Sequence, residues 1–151
     1  LNLYENVNKN KFKIDFLVTE SLSGYYYKKI VTDYNAKVYT IPSIKKHFFK
    51  SLKLIRKISR KENYDFIHIN LCSAQLFLYV WFFKIFSNNN LKIITHSHSS
   101  GETNIFRKIL HFVFRPLIIK NTDYYIGCSN VASKWMFGKK IALSKKNIIV
   151  K

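Results

Sequence analysis

A doubly wound, mainly parallel α/β sheet is the fold class this sequence predicts, and three observations predict it. Short β-branched and aromatic runs alternate with helical stretches along nearly the whole chain, turn-type clusters separate them, and 151 residues suit one domain spanning 1–151. Strands that alternate with helices imply right-handed crossovers and parallel pairing.

The elements follow in order. "FKIDFLV" at 12–18 reads as a strand and "TESLSG" as the turn after it. Residues 25–36 form a short helix with Tyr27, Ile30, Val31 and Tyr34 on one face, and "KVYTIP" is a second strand stopped by Pro42. Ser43 caps a helix running to about residue 62, with Ile44, Phe48, Leu52, Ile55 and Ile58 or Ser59 inward. "YDFIHIN" at 64–70 is a third strand, apolar on both faces as a buried parallel strand would be. An apolar helix at 73–86 follows, closed by "SNNN"; "LKIITHS" is the fourth strand and a capped helix covers 102–120. "DYYIGCS" is the fifth strand, residues 130–137 a short helix with Gly138 as its left-handed terminator, and "NIIVK" the start of a sixth strand. The aromatic-rich helices at 76–86 and 105–119 are expected in the core.

Charge narrows the partners. Lys plus Arg number 26 against 8 Asp plus Glu, a formal charge of +18, so a phosphate-bearing or otherwise anionic partner is expected. Part of this excess also fits an AT-rich genome, whose proteins are loaded with Lys, Asn, Ile, Phe and Tyr. Cys72 and Cys128 lie far apart without CxxC spacing, so neither a disulfide framework nor a zinc ribbon is indicated and a reducing compartment is the default expectation. The longest apolar run, "LFLYVWFFKIF", is too short to span a bilayer. No signal peptide is legible. The opening "LNLYENVNKNKF" reads as the end of a helix, so the chain is expected to begin inside a domain.

In open parallel sheets ligands gather at the carboxyl ends of strands. That filter selects Thr19 to Gly24, His68 with Asn70, the stretch His96, His98, Ser99, Ser100 and Gly101, and Cys128, Ser129 and Asn130. His96 and His98, two apart, project to one side and could share a metal with His68, yet no carboxylate or thiolate stands beside them at ligand spacing. A histidine at a strand tip can instead position or deprotonate a substrate hydroxyl, or be an ordinary loop residue bonded to backbone. No nucleophile elbow, P-loop or GxGxxG is present.

Residues 43–61 are a second candidate. Lys45, Lys46, Lys50, Lys53, Arg56 and Lys57 surround an apolar stripe beside Phe48 and Phe49. Such a helix suits an anionic membrane surface, and equally a solvated outer helix face.

Taken together, these pieces resemble the amino-terminal half of family 4 glycosyltransferases of the two-Rossmann-domain (GT-B) architecture, notably those of bacterial capsule and exopolysaccharide assembly. "YDFIHIN" is similar to that family's "YDIVH" strand, "THSHSS" to its "HSHNT" step, and "TDYYIGCSNVASKWMFG" to "ATDYFACSEAAGKWLFG". Ser99 and Ser100 replace the usual Asn-Thr, and Asn130 replaces a Glu. The resemblance implies a Rossmann-like acceptor-side domain lacking the family's first strand and second domain. It makes His98 the catalytic or substrate-contacting position, with His96, Ser99, Ser100, His68 and Ser129 around the substrate. It also implies a nucleotide-sugar donor, a lipid-linked or saccharide acceptor, no cofactor or metal, and a cytoplasmic place at the inner face of the plasma membrane. A 151-residue fragment of such an enzyme is expected to be inactive alone. The alternative is a non-catalytic basic module for anionic membrane or nucleic acid; no RNA-binding aromatic motif or helix-turn-helix favours the latter.

Overall fold

The computed structural model describes residues 6–19, 28, 30, 36–87 and 90–150. Among them the protein is α/β, with parallel strands in two sheets and four α-helices. Contacts group the chain into two compact units, Leu1–Leu54 and Ile55–Lys151.

In the first unit β1 (Phe16–Val18) pairs in parallel with β2 (Val38–Thr40), Phe16 opposite Val38. The Asp15 carboxylate accepts the Lys37 N–H at 2.9 Å, and Ile41 N–H donates to the Val18 carbonyl at 2.9 Å. Both strands lie inside their expected ranges but are shorter, β2 stopping just before Pro42, which has no N–H to give a ladder. Apart from Lys28, Ile30 and Ala36, the helix expected at 25–36 lies outside the described residues, as does the 19–24 turn beyond Thr19.

Helix α1 (Phe48–Lys61) starts five residues later than its expected cap at Ser43. The Ser43 carbonyl accepts N–H groups from Lys46 and His47 and so closes a separate turn. Downstream, the His47 carbonyl accepts both the N–H and the Oγ–H of Ser51, each at 2.9 Å, and Ser51 Oγ also lies 2.7 Å from the Pro42 carbonyl. Of the expected inward residues Ile44, Ile55 and Ser59 are buried, Leu52 and Ile58 partly so, and Phe48 is 40% exposed; Ser51, one and two turns before Ile55 and Ser59 on the same face, is buried as well. The helix ends with Asn63 in the left-handed region (φ 45), a conformation Asn tolerates better than most side chains.

The second unit alternates regularly: β3 (Phe66–Leu71), α2 (Phe77–Phe86) after a 3-10 turn, β4 (Lys92–Ser97), α3 (Ile105–Lys120), β5 (Tyr124–Gly127), α4 (Asn130–Ala142) and β6 (Asn147–Ile149). Its strands are all parallel in the order β3-β4-β5-β6. Right-handed crossovers stepping always in one direction put α2, α3 and α4 on the same face of the sheet. Packing agrees: Ile93, Thr95, Ser97, Tyr125 and Gly127 alternate along that face and are buried, and Tyr125 meets Phe137 of α4 with ring centroids 5.0 Å apart. The reversal of strand order that defines double winding does not occur within this sheet.

Three expectations change here. As an edge strand of this sheet, β3 exposes alternate residues Phe66, His68 and Asn70 and is not apolar and buried on both faces. Helix α3 begins at Ile105, because Asn104 is its N-cap and accepts the Arg107 N–H at 3.1 Å; Glu102 lies outside and accepts the Asn104 N–H. Gly138 does interrupt α4, but with φ 80 and ψ 163 it forms a kink in a region open essentially to glycine alone, and helical residues resume after it.

Asp123 ties the sheet to its helices. Its carboxylate accepts the Ile93 N–H at 2.9 Å and lies 3.3 Å from Lys84 Nζ and 3.9 Å from Lys92 Nζ. Burial pushes its pKa up, but the Ile93 N–H and the two lysines outweigh burial and hold it below the ordinary value.

Gly127 closes β5 against α4. A Cβ there would collide with Ser133 Oγ and come within 3.0 Å of the Ser129 carbonyl oxygen. Neither neighbour yields easily, since Ser133 N–H donates to Ser129 O and Ser133 Oγ–H donates to Asn147 Oδ1, both at 3.0 Å. Gly127→Ala is therefore expected to cost about 1–3 kcal/mol. The check is a lowered urea midpoint with unchanged slope, partly restored by adding Ser133→Gly.

Candidate functional site

Parallel pairing sets Asn70 opposite His96 and His68 opposite Ile94, so these side chains share the face of the sheet away from the helices. The ladder continues past the end of β4, where His98 N–H donates to the Leu71 carbonyl at 3.0 Å and Cys128 N–H to the Ser97 carbonyl at 3.1 Å. These bonds hold the 97–101 loop at the carboxyl end of the sheet.

Three of the sequence-selected histidines come together there. The His68 and His96 rings stack with centroids 5.4 Å apart, and those of His96 and His98 lie 4.0 Å apart. Nε2 of His98 is 2.8 Å from Asn70 Oδ1. An amide oxygen only accepts, so Nε2 carries the proton, and in the neutral ring the lone pair is on Nδ1 of an exposed side chain. A ring in this state can accept the proton of a hydroxyl placed against it.

His96 is the electrostatic opposite of a charged ligand. Burial first, then the neighbouring His98 and His68, lower its pKa to about 4, and its Nε2 is shielded with no hydrogen-bond partner among the described residues. His68 is likewise lowered, by burial and then by His98. At neutral pH these two rings are therefore uncharged. Among the described residues no group of three His, Cys, Asp or Glu side chains could hold a metal ion.

The hydroxyl residues divide by task. Ser99 Oγ–H donates to the Gly101 carbonyl at 2.9 Å and Ser100 is exposed at the loop tip. Ser129 is the N-cap of α4, its Oγ accepting the Ala132 N–H at 3.1 Å. Ser97, which sequence reasoning passed over, is fully buried; its Oγ–H is shared between the Ala132 carbonyl at 3.1 Å and the Ser99 carbonyl at 3.3 Å, pinning the histidine loop to α4. Asn70 was legible as a strand-tip residue, but its bond to His98 depends on a register between strands that no local pattern states.

The basic candidates divide between the two units. In the first unit Lys45 and Lys46 occupy the turn before α1, and Phe48, Phe49, Lys50 and Lys53 its first turns, all exposed. In the second unit Arg56 and Lys57 are exposed on the same helix, and the Arg56 guanidinium lies 6.0 Å from the centre of the Phe86 ring. Among the described residues no helix is long and apolar enough to cross a membrane.

Comparison with family models, with curated proteins and with solved structures returned no match.

Proposed function

We propose that this chain is the Rossmann-like, acceptor-side part of a GT-B glycosyltransferase of the family 4 type, moving a sugar from a nucleotide-sugar donor to a lipid-linked or saccharide acceptor in surface polysaccharide synthesis. The observation that carries this reading is His98: it stands at a parallel strand tip with Nε2–H committed to Asn70 and Nδ1 left to accept. It is also the residue that the "THSHSS" resemblance selects.

In this reading His98 positions the reacting hydroxyl and takes up its proton, while His96 and His68 present uncharged rings beside it. Ser99 and Ser100 offer hydroxyls to the sugar, and Ser129 keeps α4 in place. Charge on the departing nucleoside diphosphate is met by cations and backbone donors, supplied in such enzymes chiefly by the second domain, without a metal or cofactor. A lipid-linked acceptor places the work at the cytoplasmic face of the plasma membrane, with the exposed basic surface of α1 toward anionic headgroups.

The test is transfer of radiolabelled hexose from nucleoside diphosphate sugars into lipid or polysaccharide, using membranes from cells that express the protein from its own gene. Label above that of a deletion strain is expected; none from any common hexose donor would refute the reading.

A further inference from the structure

Helix α3 is amphipathic in the opposite sense to α1. On α1 the cations point outward, and apolar exposure is confined to Phe48 and Phe49 at its start. On α3 only His111 and Ile118 are buried, whereas Phe106, Ile109, Leu110, Phe112, Val113 and Leu117 are exposed, Phe106 at 74% and Val113 at 57%. At about 100° per residue these side chains sweep an arc of about 160° that contains no charge before the terminal Lys120. Beside it α2 packs against α3 through the Phe77–Phe114 stack (4.4 Å) and exposes Trp81 and Ile85.

The charges around this face decide what covers it. Lys108 and Arg115 follow one edge of the arc, Lys120 closes its end, and α3 has no acidic residue. A second copy would set one +18 chain against another, with the like-signed edges of the two faces brought together. An anionic bilayer satisfies both parts at once: acyl chains take up the apolar arc, and phosphate headgroups meet the flanking cations.

We infer that the exposed face of α3, with Trp81 and Ile85 of α2, is a membrane-docking surface for anionic lipid, lying in the interface without spanning it. This deepens the membrane element of the proposed function by naming the surface that inserts, and it holds whether or not the protein transfers sugar.

Co-sedimentation of the full chain with phosphatidylcholine vesicles, with and without phosphatidylglycerol, tests it. The wild-type chain is expected to pellet with the anionic vesicles and much less with the neutral ones. Phe106→Ser/Ile109→Ser/Val113→Ser should weaken that binding by about tenfold or more, with an unchanged far-UV spectrum because the three side chains are exposed. A charge-neutralised α1 (Lys46→Gln/Lys50→Gln/Lys53→Gln) should retain the salt-resistant part of binding. Loss of binding in the α1 variant alone overturns the inference and leaves α1 as the lipid contact. Equal binding to both vesicles, or no binding, overturns it too. So does a sedimentation-velocity dimer that the α3 variant dissolves, since the occupant is then a second copy.

Discussion

Replacing His98 by alanine in the protein expressed from its own gene is expected to slow sugar transfer, as proposed above, by about 10²- to 10⁴-fold, the span a positioned acid–base group contributes. The loss should fall on kcat more than on KM, because the lone pair on Nδ1 matters most as the hydroxyl gives up its proton. His98→Gln separates position from basicity: its amide can still donate to Asn70 and accept from a hydroxyl, but it cannot hold the proton. The glutamine enzyme should therefore keep the wild-type KM and remain slow. Asn70→Ala is expected to act through His98, since without the 2.8 Å bond the ring is free to turn and to exchange tautomers. Its signature would be a fall in kcat with KM little changed, largely rescued by Asn70→Asp, whose carboxylate can still accept the Nε2–H. A His98→Ala enzyme with wild-type turnover would remove His98 from the chemistry altogether.

How far the sequence reaches is clearest at this site. The runs "FIHIN" and "KIITHS" fall within strands because β-branched residues crowd a helix and suit a pleat. His96 and His98 share a side because strands have period two, and this too is local. Their contact with Asn70 and His68 is not local: it depends on which residue of β3 lies opposite which residue of β4, and a slip of one would turn His68 and Asn70 to the helix face. Helix boundaries were missed for a similar reason. Ser43 is a good capping residue and Glu102 a residue that suits a first helical turn, but the helix starts are set by the backbone, which turns once at Ser43 before α1 and is extended at Asn104. The aromatic-rich stretch 105–119 was expected in the core because apolar composition reports a preference for burial and says nothing of which face finds a neighbour. In the fold α3 packs along one narrow stripe through His111 and Ile118, and most of its apolar side chains face outward.

Stability is expected to fall as pH drops from about 6.5 toward about 4, and His96 is the main titrating group behind that fall. In the unfolded chain His96 takes up a proton near its ordinary value of 6.5; in the fold burial and the His98 and His68 charges delay this to about 4. Between those values the unfolded state holds more protons, so stability is full above 6.5 and is lost as pH falls through the window. His68 adds a contribution of the same sign, and so does His111, whose burial against Trp135 outweighs its bond to the Trp135 carbonyl. Asp123 belongs to a lower window: its carboxyl is held below the ordinary value of 3.8, so its contribution is present above that value and is lost only as pH falls through the depressed one. The urea midpoint measured across this range should therefore slope in the wild-type chain and slope less in His96→Gln. Proton NMR of the imidazole C–H groups should place one ring near pH 4, and His98→Gln, which removes a like charge 4.0 Å away between ring centres, should move that ring upward toward 6.5. A His96 that titrates at its ordinary value in the intact chain would mean the three rings do not share a face, and the proton-accepting geometry assigned to His98 would lose its support.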